Sequence, residues 1–360
     1  MKKQPPIFIF SYIAYLSVLL YFIFGGLITQ LIYFSSVFSL LYFIKNYKIK
    51  KNVITFFLIY ILGLIFFSFF SKVYEFHYSI GVIFYFIGSI IMALTFNDLK
   101  DKILFSNFIF YTFLVFLLFK FYTLGFFSPD DYNLNIFNGV SRNIVSAFLL
   151  FLIIFLSANY NIEKKRQPLI PYFLTFIFCV ILYGRSAILI SFLLLVFVLF
   201  LRYRRNVVSI IFVFSLFLIT FSYFWNDISS FFVEKTSFKE GLDSPRSAMI
   251  KEYLNGIEYN YHDLLFGRSF DKCCYTIVYY GQNPHNSFIN GHARFGIWHT
   301  LGILFAISLS FIYSLIYKKL FIFILLMLLL TRYAVDSFGL FSPIDVFSCY
   351  LLIYIFKKER

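Results

Sequence analysis

Charge is what this sequence has least of. Asp, Glu, Lys and Arg make up 13% of its 360 residues, against about a quarter in soluble domains, and that shortage excludes an ordinary water-soluble fold. Metal-ligating residues are few as well: five histidines and four cysteines, in no spacing that resembles a metal site, so no metal and no other cofactor is expected. Cys179 and Cys349 fall inside apolar runs and read as core or lipid-facing filler. Cys273 and Cys274 stand where oxidation is possible, but neighbours bridge only through a strained eight-membered ring, which disfavours a disulfide. No convincing internal repeat is present. The opening MKK and its apolar run lack a small-residue cleavage site, so that segment is expected to be retained, turning at Gly25-Gly26 into the next one.

What is there instead is apolar: 61% of residues are hydrophobic and 24% aromatic. A spanning helix needs roughly 20 mostly apolar residues to cross about 30 Å of hydrocarbon, and such runs follow one another almost without pause. The expected fold is an all-α polytopic membrane protein with about twelve transmembrane helices. The spans run Ile7 to Phe24, Leu27 to Ile44, Val53 to Phe70, Ile80 to Phe96, Ile103 to Leu124, Ile144 to Ala158, Leu169 to Leu182, Ala187 to Leu201, Val207 to Trp225, Gly296 to Tyr317, Leu320 to Ala334 and Pro343 to Phe356. Several are short, so eleven spans or a re-entrant segment is the alternative. The chain thus divides into helices 1–9 (residues 1–225), one long hydrophilic loop (226–294), and helices 10–12 with a tail (295–360). A loop of that length is too long for a connector and suggests a functional element.

Basic residues in short loops set orientation, because the cytoplasmic side keeps them. With both termini inside, every second loop fits: nineteen of the 31 basic residues are cytoplasmic, and the long loop lies outside. The basic balance, a net charge of +14, is therefore a topology signal spread over many loops. It forms no stripe that could follow a phosphate backbone, and nucleic acid is not an expected partner.

The outer basic residues differ in kind. Cytoplasmic ones are mostly lysine, whereas half of the outer ones are arginine, the planar fork suited to bidentate phosphate contacts. Arg142, Arg185 and Arg332 each sit at the outer end of an apolar span, and Arg246, Arg268 and Arg294 punctuate the long loop. Arg185 interrupts an otherwise continuous apolar stretch in YGRSAILI, where a charge is costly without a partner or a role. Histidine is the side chain best suited to take and release a proton near neutrality. His285 precedes Asn286 where the long loop returns to the membrane; His292 and His299 follow at seven-residue intervals, on one side of any helix that begins near Asn286. Those two read as interfacial polar residues, and His77 and His262 as surface. Asp336, four residues after Arg332, is placed to pair with it on a helix face or to orient the base. The many aromatic residues are mostly lipid-facing or packing, though Tyr279-Tyr280 could stack on a sugar.

The stretch from Pro245 to Gly302 resembles the superfamily of O-antigen polymerases (Wzy type) and O-antigen ligases of bacterial surface polysaccharides. The resemblance rests on Arg246 in SPRSAMIKEYLNGIEYN, the turn DLLFGRSF around Gly267, His285-Asn286 in PHNSFI, and the return RFGIWHTLGIL at Gly296 and Gly302; upstream, YGRSAILI puts Arg185 in the role of that family's hairpin arginine. The family's tryptophan in the loop helix is absent, with Met249 and Tyr253 on that face.

What the resemblance implies is a glycosyltransferase in the bacterial inner membrane. It joins undecaprenyl-diphosphate-linked repeat units at the periplasmic face into lipopolysaccharide O-antigen, with glycan donor, glycan acceptor and membrane lipid as partners and a chain-length regulator as a further one. His285 is then the general base. Arg185 and Arg246 bind the diphosphate, Arg294 and Arg142 are further candidates for it, and Asn286, Arg332 and Asp336 give support. An O-antigen ligase shares the outline and differs in acceptor. A lipid-linked oligosaccharide flippase is the non-enzymatic alternative, against which the long loop and the scarcity of intramembrane charge (Lys120 is the clearest) argue.

Overall fold

The computed structural model describes residues 6–44, 51–71, 76–126, 129–203, 215 and 245–357. The expected span at Val207 to Trp225 and the first part of the long loop, to 244, lie outside the described residues except for Ser215. Among the described residues the regular structure is helical, with one isolated β-bridge between Phe137 and Val140. Apolar runs fold this way in a bilayer because a helix satisfies its own backbone hydrogen bonds where no water is present. Eight helices are long and apolar enough to cross a membrane, and three shorter apolar ones match further expected spans. The chain is an all-α, multi-pass membrane protein.

Two compact units emerge, Met1–Ile109 with Pro245–Arg360, and Phe110–Ser244. In the first, α1 (Pro6–Phe24) and α2 (Gly26–Ser39) form the expected hairpin, with Gly25 and Gly26 at φ of 62° and 81° in the turn. Small residues let the two approach, and Ser17 Oγ and Ser36 Oγ share a 2.7 Å hydrogen bond. A short α3 (Leu41–Ile44), α4 (Lys51–Phe70), α5 (Phe76–Asp98) and the start of α6 (Lys102–Leu124) follow.

Within the second unit come α7 (Pro129–Tyr132), α8 (Arg142–Ile162), α9 (Ile170–Ile181) and α10 (Arg185–Tyr203). All residues of α8 from Val145 to Asn159 are buried, as suits a helix apolar on every side. Lys120 donates to the Asn135 carbonyl at 3.0 Å.

Past residue 244 the first unit resumes. Four short helices, α11 (Pro245–Leu254), α12 (Tyr261–Phe266), α13 (Phe270–Cys273) and α14 (Tyr275–Tyr279), precede α15 (Ser287–Ile316), α16 (Leu320–Ala334) and α17 (Val346–Phe356). Here α17 packs on α5, where Asn97 Nδ2 donates to the Tyr350 carbonyl at 3.2 Å and Ser89 Oγ to that of Ser342 at 3.0 Å. Against α4, α15 is tied by Trp298 Nε1 to the Tyr60 carbonyl at 3.0 Å and by Tyr60 Oη to His299 Nδ1 at 3.0 Å.

Candidate functional site

The segment from Pro245 to Asn286 builds a small core of its own. Met249 and Tyr253, one turn apart on α11, are both buried, and they meet Ile257, Phe270, Cys274 and Ile277 together with Ile289 and Ala293 of α15. The face of α11 that the sequence left to Met249 and Tyr253 is thus the face that anchors it. Glu252 ties α11 to α14 by accepting from the Thr276 N–H at 2.9 Å and its hydroxyl at 2.5 Å. Contrary to the expectation from ring strain, Cys273 and Cys274 are joined as a disulfide, with Cys274 in the core; the turn between α13 and α14 brings the two sulfurs together. Arg268 staples the segment. Its Nη1 donates to the carbonyls of Tyr253 (3.0 Å) and Asn255 (2.6 Å), and its Nε lies 3.6 Å from Asp263.

Two glycines bring this segment onto the membrane helix. A Cβ on Gly296 would stand 1.9 Å from the Leu265 carbonyl oxygen, and one on Gly267 would stand 2.2 Å from that of Ala293. Gly296 (φ 58°, ψ −152°) breaks α15 in a conformation open to glycine. His292 fills the junction: its Nδ1 lies 2.7 Å from Tyr253 Oη and its Nε2 3.0 Å from the Leu264 carbonyl. Both nitrogens are engaged in holding the segment, which makes His292 structural. Because of the break, His299 does not continue the stripe of His285 and His292; it turns under the first half of α15, fully buried, with Nε2 against Gly291.

His285 stands one residue before the cap of α15. Asn286 accepts from Phe288 N (2.9 Å) and Ile289 N (3.1 Å), satisfying two of the amide donors that every helix start leaves open. Asn286 Nδ2 donates to the Ala334 carbonyl at 2.9 Å, and Ser287 Oγ to that of Asp336 at 2.6 Å. Ser337 Oγ and Asn283 Oδ1 add a further hydrogen bond. The turn after α16 is thereby stitched to the start of α15. His285 itself has φ of 45°, in the left-handed region, held by a 2.9 Å bond from its N–H to Asn283 Oδ1.

Stitching those turns together puts Asp336 between Arg332 and His285. Its Oδ2 is 3.2 Å from Arg332 Nη2, and its Oδ1 is 3.9 Å from His285 Nδ1, an ion-pair distance longer than a formed hydrogen bond. Burial alone pushes the Asp336 carboxyl up. His285, Arg332, Arg246 and the Ser337 N–H together outweigh that and hold it below the ordinary carboxylate range. Arg332 is fully buried, whereas the His285 side chain keeps 31% exposure. With Nδ1 turned to Asp336, Nε2 is on the opposite side of the ring. A partly exposed imidazole backed by a buried carboxylate can orient itself, take a proton and have the resulting charge balanced.

In the second unit, Arg142 opens α8 and Arg185 opens α10. The Tyr183-Gly184-Arg185 turn lies on the first turn of α8: the Arg142 guanidinium sits 5.7 Å from the Tyr183 ring centre, and a Cβ on Gly184 would meet Ser146 Oγ at 2.5 Å. Both arginines therefore occupy the same end of that unit. Among the described residues, Nη1 of Arg142 is buried with no hydrogen-bond partner.

Of the residues expected from the sequence, His285, Asn286, Arg332, Asp336 and Arg246 are brought together in the first unit, and Arg142 with Arg185 in the second. Arg294 is partly buried on α15, beside Ala293 of the loop core. Asn283, Ser287 and Ser337 escaped the sequence reading, since a polar residue in a loop carries no periodic signal. Compared with protein-family models, with curated proteins and with solved structures, the chain matches none.

Proposed function

We propose that this protein is an O-antigen polymerase of the Wzy type. It is a glycosyltransferase of the bacterial inner membrane, with twelve spans, cytoplasmic termini and one long periplasmic loop, that joins undecaprenyl-diphosphate-linked repeat units. The observation that carries the reading is His285: a partly exposed imidazole backed by the buried Asp336, with Arg332 on the same carboxylate and Arg246 close enough to act on it. His285 Nε2 takes the proton of an acceptor hydroxyl as that oxygen attacks the anomeric carbon of the donor. The bond from that carbon to the diphosphate oxygen breaks, and the diphosphate leaves with the electron pair, its charge met by Arg246. Asp336 stabilises the imidazolium until the proton is released. Arg294 is a further candidate for this diphosphate, and for Arg142 and Arg185 we propose the same ligand class, a phosphate or diphosphate headgroup.

Deleting the gene in its host and resolving the surface lipopolysaccharide on gels tests this. Loss of a polymerase leaves cores capped with a single repeat unit. Bare cores with polymer still on its carrier identify a ligase, and bare cores without extracytoplasmic polymer a flippase. His285→Ala, expressed at the wild-type level, is expected to reproduce the deletion, since a general base contributes about 100- to 10,000-fold. Full polymer in that strain sinks the assignment of the base.

A further inference from the structure

Tyr275 and Tyr279 stand four residues apart, on one face of α14, while Ile277 on the opposite face is buried in the loop core. Both rings are turned out, 80% and 73% exposed, and Tyr280 beyond them is 44% exposed. They are in register with one another. Tyr275 and Tyr279 stack with centroids 6.5 Å apart, Tyr279 meets Tyr280 edge-on at 5.3 Å, and Tyr280 meets the His285 imidazole edge-on at 6.3 Å. Four rings thus form a continuous run that ends on the group we assign as the base.

This display is held rigidly. Glu252 fixes Thr276 through both its N–H and its hydroxyl, the Cys273–Cys274 disulfide precedes α14, and Gly281 and Gln282 close it with bonds to the Val278 (3.0 Å) and Ile277 (2.9 Å) carbonyls. Rings kept in the open on a fixed element mark a contact surface, and tyrosine offers a large, stiff one at little entropic cost. Polar groups rim it: Lys272 is exposed, and Gln282 Nε2 donates to Asp271 at 3.1 Å, both exposed. An aromatic face is electronegative and attracts the polarised C–H bonds of a pyranose, while such a rim serves the sugar's hydroxyls.

We propose that Tyr275, Tyr279 and Tyr280 form a stacking platform for the acceptor glycan, leading its terminal hydroxyl to His285. This rests on the glycosyltransferase reading. A tyrosine belt at the lipid headgroups is the other use of exposed tyrosines, but the run ends on an imidazole backed by a carboxylate, a terminus suited to a hydroxyl.

The test uses the full-length protein in lipid nanodiscs. Its probe is the oligosaccharide freed by mild acid from the polyprenyl-diphosphate lipids of the host, with binding followed by saturation-transfer NMR. Replacing both Tyr275→Ala and Tyr279→Ala is expected to weaken binding about tenfold, and Tyr275→Phe with Tyr279→Phe to keep it within about twofold. Both pairs are expected to melt with the wild type because the rings are exposed. Wild-type protein that binds no oligosaccharide, an alanine pair that binds as tightly as wild type, or a phenylalanine pair that loses as much as the alanine pair overturns the platform. So does strong quenching of Tyr279→Trp by brominated lipid that the oligosaccharide does not relieve, which places the rings in the headgroups. The gel of the deletion strain reports on the glycosyltransferase reading separately, since it does not depend on these tyrosines.

Discussion

Asp336 serves Arg332 and His285 at once, and this is the most demanding position in the site. Its bond to Arg332 was legible in the sequence from their four-residue spacing, although α16 ends at Ala334 and Asp336 makes the bond from the turn beyond it and not from a shared helix face. Its approach to His285, to orient the base, stood in the sequence only as the alternative to that pairing, because it depends on the turn after α16 being tied to the start of α15 through Asn286 and Ser287. Replacing it by Asp336→Asn leaves the buried Arg332 charge uncompensated, and is expected to cost about 3–5 kcal/mol, read as a lower melting temperature in detergent. The fold holds this carboxyl below its ordinary value, so its contribution is present in full above the unfolded carboxylate pKa of about 4 and fades as pH falls through the lowered value. The stability gap between wild type and Asp336→Asn should therefore narrow only in acid, below about pH 4. A gap that instead closes on going alkaline contradicts the pairing.

At the scale of the element, α15 departs furthest from expectation. The apolar run begins at Gly296, and the sequence placed the span there; the helix begins at Ser287, because Asn286 caps it and Ile289 and Ala293 bury themselves in the loop core. Hydropathy follows contact with lipid and so is blind to a helical turn covered by protein. Gly296 then acts as the break that lets the Leu265 backbone reach the helix. Gly296→Ala meets both a left-handed φ and the Leu265 carbonyl, and should destabilise by about 1–3 kcal/mol. The loss should appear as faster proteolysis between Pro245 and Asn286, with α1 and α2 unaffected. Equal resistance in variant and wild type argues against a docked loop.

For the whole molecule, the proposed orientation makes its own prediction. In intact cells, a membrane-impermeant sulfonated maleimide should label Tyr279→Cys, and should label Glu163→Cys only after the membrane is opened; the reverse order inverts the topology. The sequence by itself determined the class, an all-α chain crossing the membrane many times, because the bilayer imposes one length and one polarity on each span and both are written locally. It also singled out His285, Arg246, Arg332 and Asp336, since charge beside apolar runs is rare enough to stand out. Tertiary structure alone decided that Arg246 comes close to the Arg332–Asp336 pair, that His292 is clamped by Tyr253 and Leu264, and that three exposed tyrosines align toward His285. Those arrangements depend on close approach between segments distant in the chain, set by Gly267, Gly296 and the Asn286 cap, and no local pattern encodes a distance of that kind.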